Sequence, residues 1–281
     1  MTDADEVPGP SRPLTARSVV ASTLLGTDPP RLPVAFLVRT GALFGLAEGA
    51  VRTALSRMVA AGEASTDGDG WYALSGALVD RQARQQHSRT AATVEWSGRW
   101  RLAVVVGGAR SAAQRSDLRR SMRQLRLAEL RDGVWVRPDN LERLPTPARE
   151  VADAQCQWFL GDPQLTLEHG DADLAARLWD LPAWAERATS LRRGMHDLVT
   201  RLKAGDTGAL AEGFVLSAAV LRHLLADPLL PRELQPRGWP GAALRADYDR
   251  YDAAYRRVLA RWNQLDRDHV DPTEPTATVV E

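Results

Sequence analysis

The sequence predicts a multidomain α+β protein, and three observations carry that prediction. Residues 14–90 read as three helices, a two-stranded hairpin and a further helix, which is the order of elements in a winged helix-turn-helix. Residues 91–170 hold a short apolar strand, a helix and a second strand, and residues 171–268 are helical apart from one proline-rich interruption. A chain of 281 residues has room for two to three small domains, and 44% apolar side chains suffice for their cores.

Residues 1–13, dominated by proline and acids, are expected to be a disordered leader, and 269–281 a similar tail. Thr15 suits the N-cap of a first helix that stops at Gly26. Pro33 suits the first turn of a second helix carrying Phe36 and Leu37 and ending at Gly41. A third helix runs from Ala47 to Ala61, with Val51, Leu55 and Met58 on one face. Gly49, Arg52, Thr53, Ser56 and Arg57 fall on the opposite arc. Gly62 closes this helix, and Asp67-Gly68-Asp69-Gly70 marks a hairpin.

Any surface helix shows an apolar stripe with polar residues opposite. The order of elements and the hairpin turn that arc into a candidate recognition surface, in which those five residues face the major groove of a partly palindromic double-stranded DNA operator. The acids at the wing tip predict that the wing adds little to DNA affinity.

Further on, Leu102 to Val106 reads as a buried strand ended by Gly107-Gly108, Ala112 to Leu127 as a helix, and Gly133 to Val136 as another strand. Along that helix Arg115, Arg119, Arg123 and Arg126 are spaced to line one exposed face beside Leu118, Met122 and Leu125. Arginine forks of this kind bind phosphate. Helices are expected over 174–181, 184–203, 207–226 and 242–265, with the prolines at 228, 231, 236 and 240 forming one loop. Within that loop Trp239 reads first as an anchor in the helical core, and second as a ligand contact.

Composition narrows the function classes. The 36 basic and 36 acidic side chains cancel, but residues 31–131 are net +8 and residues 132–281 net −6. A basic front half fits nucleic-acid contact there. No apolar run is long enough to span a membrane, and the first fourteen residues lack the pattern of a secretory signal, so a cytoplasmic location is expected. Cys156 stands alone and reads as a small buried residue. The five histidines show no metal-binding spacing, and the polar run Glu168 to Asp173 reads as a loop. Walker-type and nucleophile-elbow motifs are lacking, so neither a cofactor, a metal nor an enzymatic activity is expected.

The runs SVVASTLLG, LFGLAEGAVRTALSRMVAAGE and WYALS, between Ser18 and Ser75, resemble the N-terminal region of the PaaX-type regulators, the repressors of phenylacetate catabolism. Trp96-Ser97-Gly98-Arg99-Trp100, the stretch LRRSMRQLRLAELRDGVWVRPDNL from Leu118, and DPLLPRELQPRGWPG from Asp227 continue the likeness in order. The resemblance implies a winged-helix domain, a central ferredoxin-like α/β sandwich similar to a small CRISPR-associated nuclease fold, and a helical C-terminal domain. It also implies a homodimeric repressor that an acyl-CoA effector, such as phenylacetyl-CoA, releases from its operator. Arg115, Arg119, Arg123, Arg126 and Trp239 are the candidate effector contacts. The central fold raises one alternative, a metal-dependent nuclease. Two features depart from the family pattern: the acidic wing, and an alanine where a tyrosine is expected shortly after Trp184.

Overall fold

The computed structural model describes residues 14–108, 110–142, 146–161 and 170–269. The leader, the tail from residue 270, and Glu168 and His169 of the polar run lie outside the described residues. The chain is a mixed α/β protein with two antiparallel sheets, and it divides into two compact units. One unit comprises Met1–Gln82, Gly194–Ala218 and Asp249–Glu281; the other comprises Ala83–Arg193 and Ala219–Tyr248.

In the first unit Thr15 and Ser18 form a capping box that starts α1 (Ala16–Leu25). A short strand not expected from the sequence follows, β1 (Arg31–Pro33), and Pro33 serves as N-cap of α2 (Val34–Ala42). Next come α3 (Glu48–Ala60), β2 (Ala64–Thr66), β3 (Trp71–Leu74) and α4 (Ala77–Thr90), with strands in the order β1-β3-β2. Val20, Leu24, Leu37, Val51, Leu55, Met58, Leu74 and Leu78 pack into one core, which accounts for the apolar spacing of α3.

Gly41 sets how closely α2 approaches α3. A Cβ placed there would sit 2.6 Å from Val51 Cγ2, closer than packed carbon atoms tolerate. Gly41→Ala is therefore expected to destabilise this unit by about 1–3 kcal/mol, the usual cost of overpacking. A change below about 0.5 kcal/mol in denaturant unfolding would show that the crossing relaxes freely.

Parts of α9 (Ala209–Leu225) and α10 (Gly241–His269) belong to the same unit. Phe44, in the turn between α2 and α3, packs on Phe214 with ring centroids 5.0 Å apart. Arg39 Nε donates to Asn263 Oδ1 at 2.6 Å. The hydroxyls of Tyr251 and Tyr255 donate to the carbonyls of Gly213 and Leu210, tying α10 to α9.

The second unit holds the other sheet. Its elements run β4 (Trp100–Val105), α5 (Ala112–Gln124), β5 (Ala128–Arg131), β6 (Val134–Pro138), α6 (Thr146–Asp153) and β7 (Cys156–Gly161), with antiparallel strand order β5-β6-β4-β7. Ala103, Trp135 and Cys156 pack with Leu118 and Met122 of α5 and with Ala148 and Ala152 of α6. Trp100 and Val136 point the opposite way, toward Leu174 and Ala175 of α7 (Asp171–Leu178), Leu181 at the start of α8 (Leu181–Lys203), and Leu230 and Leu234.

One expectation about α5 is corrected. The helix ends at Gln124, and Arg126 turns back at φ +60° into the interior instead of continuing the exposed arginine face. Its guanidinium donates to the carbonyls of Leu225 and Asp227 and to Ser88 Oγ at 2.9 Å. Arg245 reaches the same cluster, with Nη2 2.8 Å from Asp227 Oδ2 and Nε donating to the Ser88 carbonyl. Arg137, fully buried, donates to the carbonyls of Pro138 and Leu125 and to Asn140 Oδ1, and Asn140 in turn donates to the Leu229 carbonyl. Burial pushes Arg126 down to about 10 and Arg137 to about 9, so both stay charged at neutral pH. Several buried arginines thus converge on a loop that carries the buried carboxylate of Asp227.

Candidate nucleic-acid interface

The exposed arc of α3 lies where the sequence puts it. Val51, Ala54, Leu55 and Met58 are buried, while Gly49, Arg52, Thr53, Ser56 and Arg57 are all exposed. Ala47 supplies the N-cap geometry without a side-chain acceptor, and nothing lies within 4 Å of a Cβ built on Gly49, so the first turn stays open.

The two arginines of the arc differ. Arg52 Nε donates to Glu48 Oε1 at 2.7 Å across one turn, and both side chains are more than half exposed. Such a solvent-exposed pair contributes about 0.3–0.5 kcal/mol and is easily exchanged for another anion. Arg57, near the C-terminal end of α3, has no acidic partner among the described residues.

In the hairpin between β2 and β3, the acid Asp67 is engaged within the protein. Asp67 Oδ1 accepts from the backbone N–H groups of Asp69 and Trp71, closing the hairpin. Its Oδ2 lies 2.5 Å from Arg31 Nη2, and this hydrogen bond holds the carboxyl below its ordinary range. The Arg31 guanidinium also lies 4.6 Å from the Trp71 ring centroid. Sequence reasoning missed the Arg31–Trp71 contact because β1 was not foreseen; only its pairing with β3, Arg31 opposite Ala73, brings that arginine to the hairpin. Over residues 15–78 five basic side chains meet five acidic ones, so this module has no net charge.

The candidate effector residues are not gathered in one place. Arg115, Arg119 and Arg123 are exposed on α5, Arg115 donating to the Arg110 carbonyl. Arg126 is buried, as described. Trp239 stacks on Trp184 at 4.5 Å, Trp184 stacks on His223 at 4.4 Å, and Trp239 packs against the face of the sheet opposite the one that α5 covers. That placement favours the anchor reading of Trp239. Among the described residues, no three His, Cys, Asp or Glu side chains come close enough to hold a metal ion, and no helix is long and apolar enough to cross a membrane.

Three family models match segments of this sequence. Residues 15–78 match a family described as PaaX-like protein, 93–157 the PaaX protein central Cas2-like domain, and 179–263 the PaaX-like protein C-terminal domain. The chain belongs to the PaaX family. Membership points to a transcriptional regulator of phenylacetic-acid catabolism. Among solved structures, this PaaX-family chain is similar to the uncharacterized protein Rv0674 from Mycobacterium tuberculosis, with 39% identity, a TM-score of 0.64, and coverage of 89% of this chain and 99% of that one. No curated protein matches it.

The stretches that first suggested this family have structural roles. Arg126, Arg137, Asn140 and Asp227 of the buried network all lie in them. Trp96 of the Trp-Ser-Gly-Arg-Trp run donates to the Arg99 carbonyl across a turn in which Gly98 has φ +82°.

Proposed function

We propose that this PaaX-family protein is a homodimeric repressor of a catabolic operon, which binds a partly palindromic operator through α3 and leaves it when an acyl-CoA effector binds. In this reading residues 14–90 form a winged helix-turn-helix domain, residues 91–170 a ferredoxin-like domain and residues 171–268 a helical C-terminal domain. The observation that carries the reading is α3 itself: an exposed polar arc of two arginines and two hydroxyls, on a helix whose other face is locked into a core and which a hairpin follows. Arg57 is free to meet a base edge or a phosphate. Arg52 reaches DNA by exchanging Glu48 for it, and the open first turn at Gly49 lets backbone N–H groups approach a phosphate.

The βαββαβ order and the antiparallel strand order β5-β6-β4-β7 support the ferredoxin-like assignment. For the effector, Arg115, Arg119 and Arg123 of α5 offer forks that suit the phosphates of an acyl-CoA. Arg119→Ala with Arg123→Ala is expected to raise the effector concentration needed for release at least tenfold while leaving operator affinity unchanged. An unchanged effector response would remove α5 from the account.

Fluorescence anisotropy on the protein's own promoter DNA and on a shuffled control, with and without phenylacetyl-CoA, tests the proposal as a whole. Selective binding that the thioester releases is the expected result; equal binding to both DNAs would overturn it. The neutral module adds a further expectation. With only Arg31, Arg52 and Arg57 near the surface in question, log K should fall with log salt by no more than about 3 per protomer. A slope twice as steep would mean that phosphates are gripped elsewhere on the chain.

A further inference from the structure

A cleft of about 100 Å³ lies between the last turn of α8 and the C-terminal half of α10, both within the first unit. Its floor is apolar, made by Leu202, Ala254 and Val258, all buried. Its rim is three exposed cations, Lys203, Arg257 and Arg261, and no acid lines it among the described residues. Lys203 is the one lysine of the sequence.

Two neighbouring cations on these helices are matched. Arg201 is shared between Asp206 and Glu212, and Arg256 pairs with Asp252 one turn away. Arg257 and Arg261 are spaced i, i+4, so they lie one above the other and repel. Arg257 Nε donates to the Ala253 carbonyl, which fixes the guanidinium stem and leaves its terminal nitrogens for another partner. Three cations with no acidic partner among the described residues, converging on a small recess with an apolar floor, match a compact oxyanion that brings its own charge and several acceptor oxygens.

We propose that this cleft binds the phosphate group of a small phosphorylated molecule. The register of α10 separates this site from the DNA-reading surface. Asn263, which holds Arg39 of α2, lies two residues beyond Arg261 and therefore about 200° further around the helix. The cleft thus opens on a side of α10 other than the one facing α2, and its ligand is a free phosphate ester rather than the backbone of DNA held by α3. The inference does not depend on the operator reading, because it rests on α8 and α10 alone.

Inorganic phosphate is the minimal probe. Thermal unfolding of the full chain in rising phosphate, against sodium chloride at matched ionic strength, is expected to show a saturable rise in Tm of about 3 °C at ten times the Kd. Arg257→Gln with Arg261→Gln should abolish that rise, leave the Tm in chloride unchanged because both side chains are exposed, and leave DNA affinity unchanged. Lys203→Met alone should weaken the phosphate response at least threefold, which keeps the test decisive if the double variant folds poorly. A phosphate effect no larger than that of chloride, or one that survives in the variants, would overturn the proposal. So would variants that lose DNA binding while responding to phosphate like the wild type.

Discussion

Asp227→Ala is expected to lower the stability of the second unit by about 3–5 kcal/mol, the usual cost of removing one partner of a buried ion pair. Asp227 is 1% exposed, and its two oxygens do different work. Oδ1 accepts from Leu229 N at 2.9 Å, holding the loop in which Leu229 adopts φ +50°, while Oδ2 lies 2.8 Å from Arg245 Nη2. The alanine variant leaves Arg245 without its counter-charge beside Arg126, which is itself buried and cationic. Asp227→Asn keeps the size and one acceptor, so it should cost less than the alanine change. Combining Asp227→Ala with Arg245→Met should recover part of the loss, because the stranded cation is gone; denaturant unfolding of the wild type, Asp227→Ala, Arg245→Met and the double variant reads the coupling. A loss below about 1 kcal/mol for Asp227→Ala would show that the network is not what holds the loop against β6.

Arg57→Ala is the second large effect. If Arg57 reads a guanine, its loss should cost about 1–3 kcal/mol on the matched operator and nearly nothing once that base pair is changed. If it grips a phosphate, binding should weaken alike on both DNAs, and the salt slope should fall by about 1. Arg52→Ala should cost less than Arg57→Ala. Arg52 must give up Glu48 to reach DNA, and the freed carboxylate then faces the phosphates. Glu48→Gln is accordingly expected to tighten binding modestly. Equal losses for the two arginines would mean that the Arg52–Glu48 pair does not hold Arg52 back from the DNA.

The sequence made α3 legible because three signals agreed: apolar spacing, an exposed polar arc, and a glycine at the end. Its observed span, Glu48–Ala60, lies within one residue of the expected one. Agreement was lost where a distant partner decides the local structure. Arg126 continued the arginine spacing of α5, and no glycine or asparagine announced the end of that helix. Its left-handed backbone is selected by the carbonyls of Leu225 and Asp227, about a hundred residues away. β1 has only three residues and exists because β3 offers it an edge, so its sequence carries no period to detect. β7, six residues from Cys156 to Gly161, mixes apolar and polar positions without alternation and was equally silent. The allocation of α8, α9 and α10 between two units has no local signal either, since each helix keeps one continuous apolar stripe while its residues serve both units.

The central claim is that the exposed arc of α3 reads DNA sequence. The most direct test is the ratio of affinities of the full chain for its own promoter DNA and for a shuffled duplex at physiological salt, measured for the wild type and for a variant with Arg52, Thr53, Ser56 and Arg57 all changed to alanine. All four side chains are exposed, so the variant should fold. The wild type is expected to favour its promoter by about 10³ or more, and the variant to lose nearly all of that preference. A variant that kept the wild-type ratio would contradict the account.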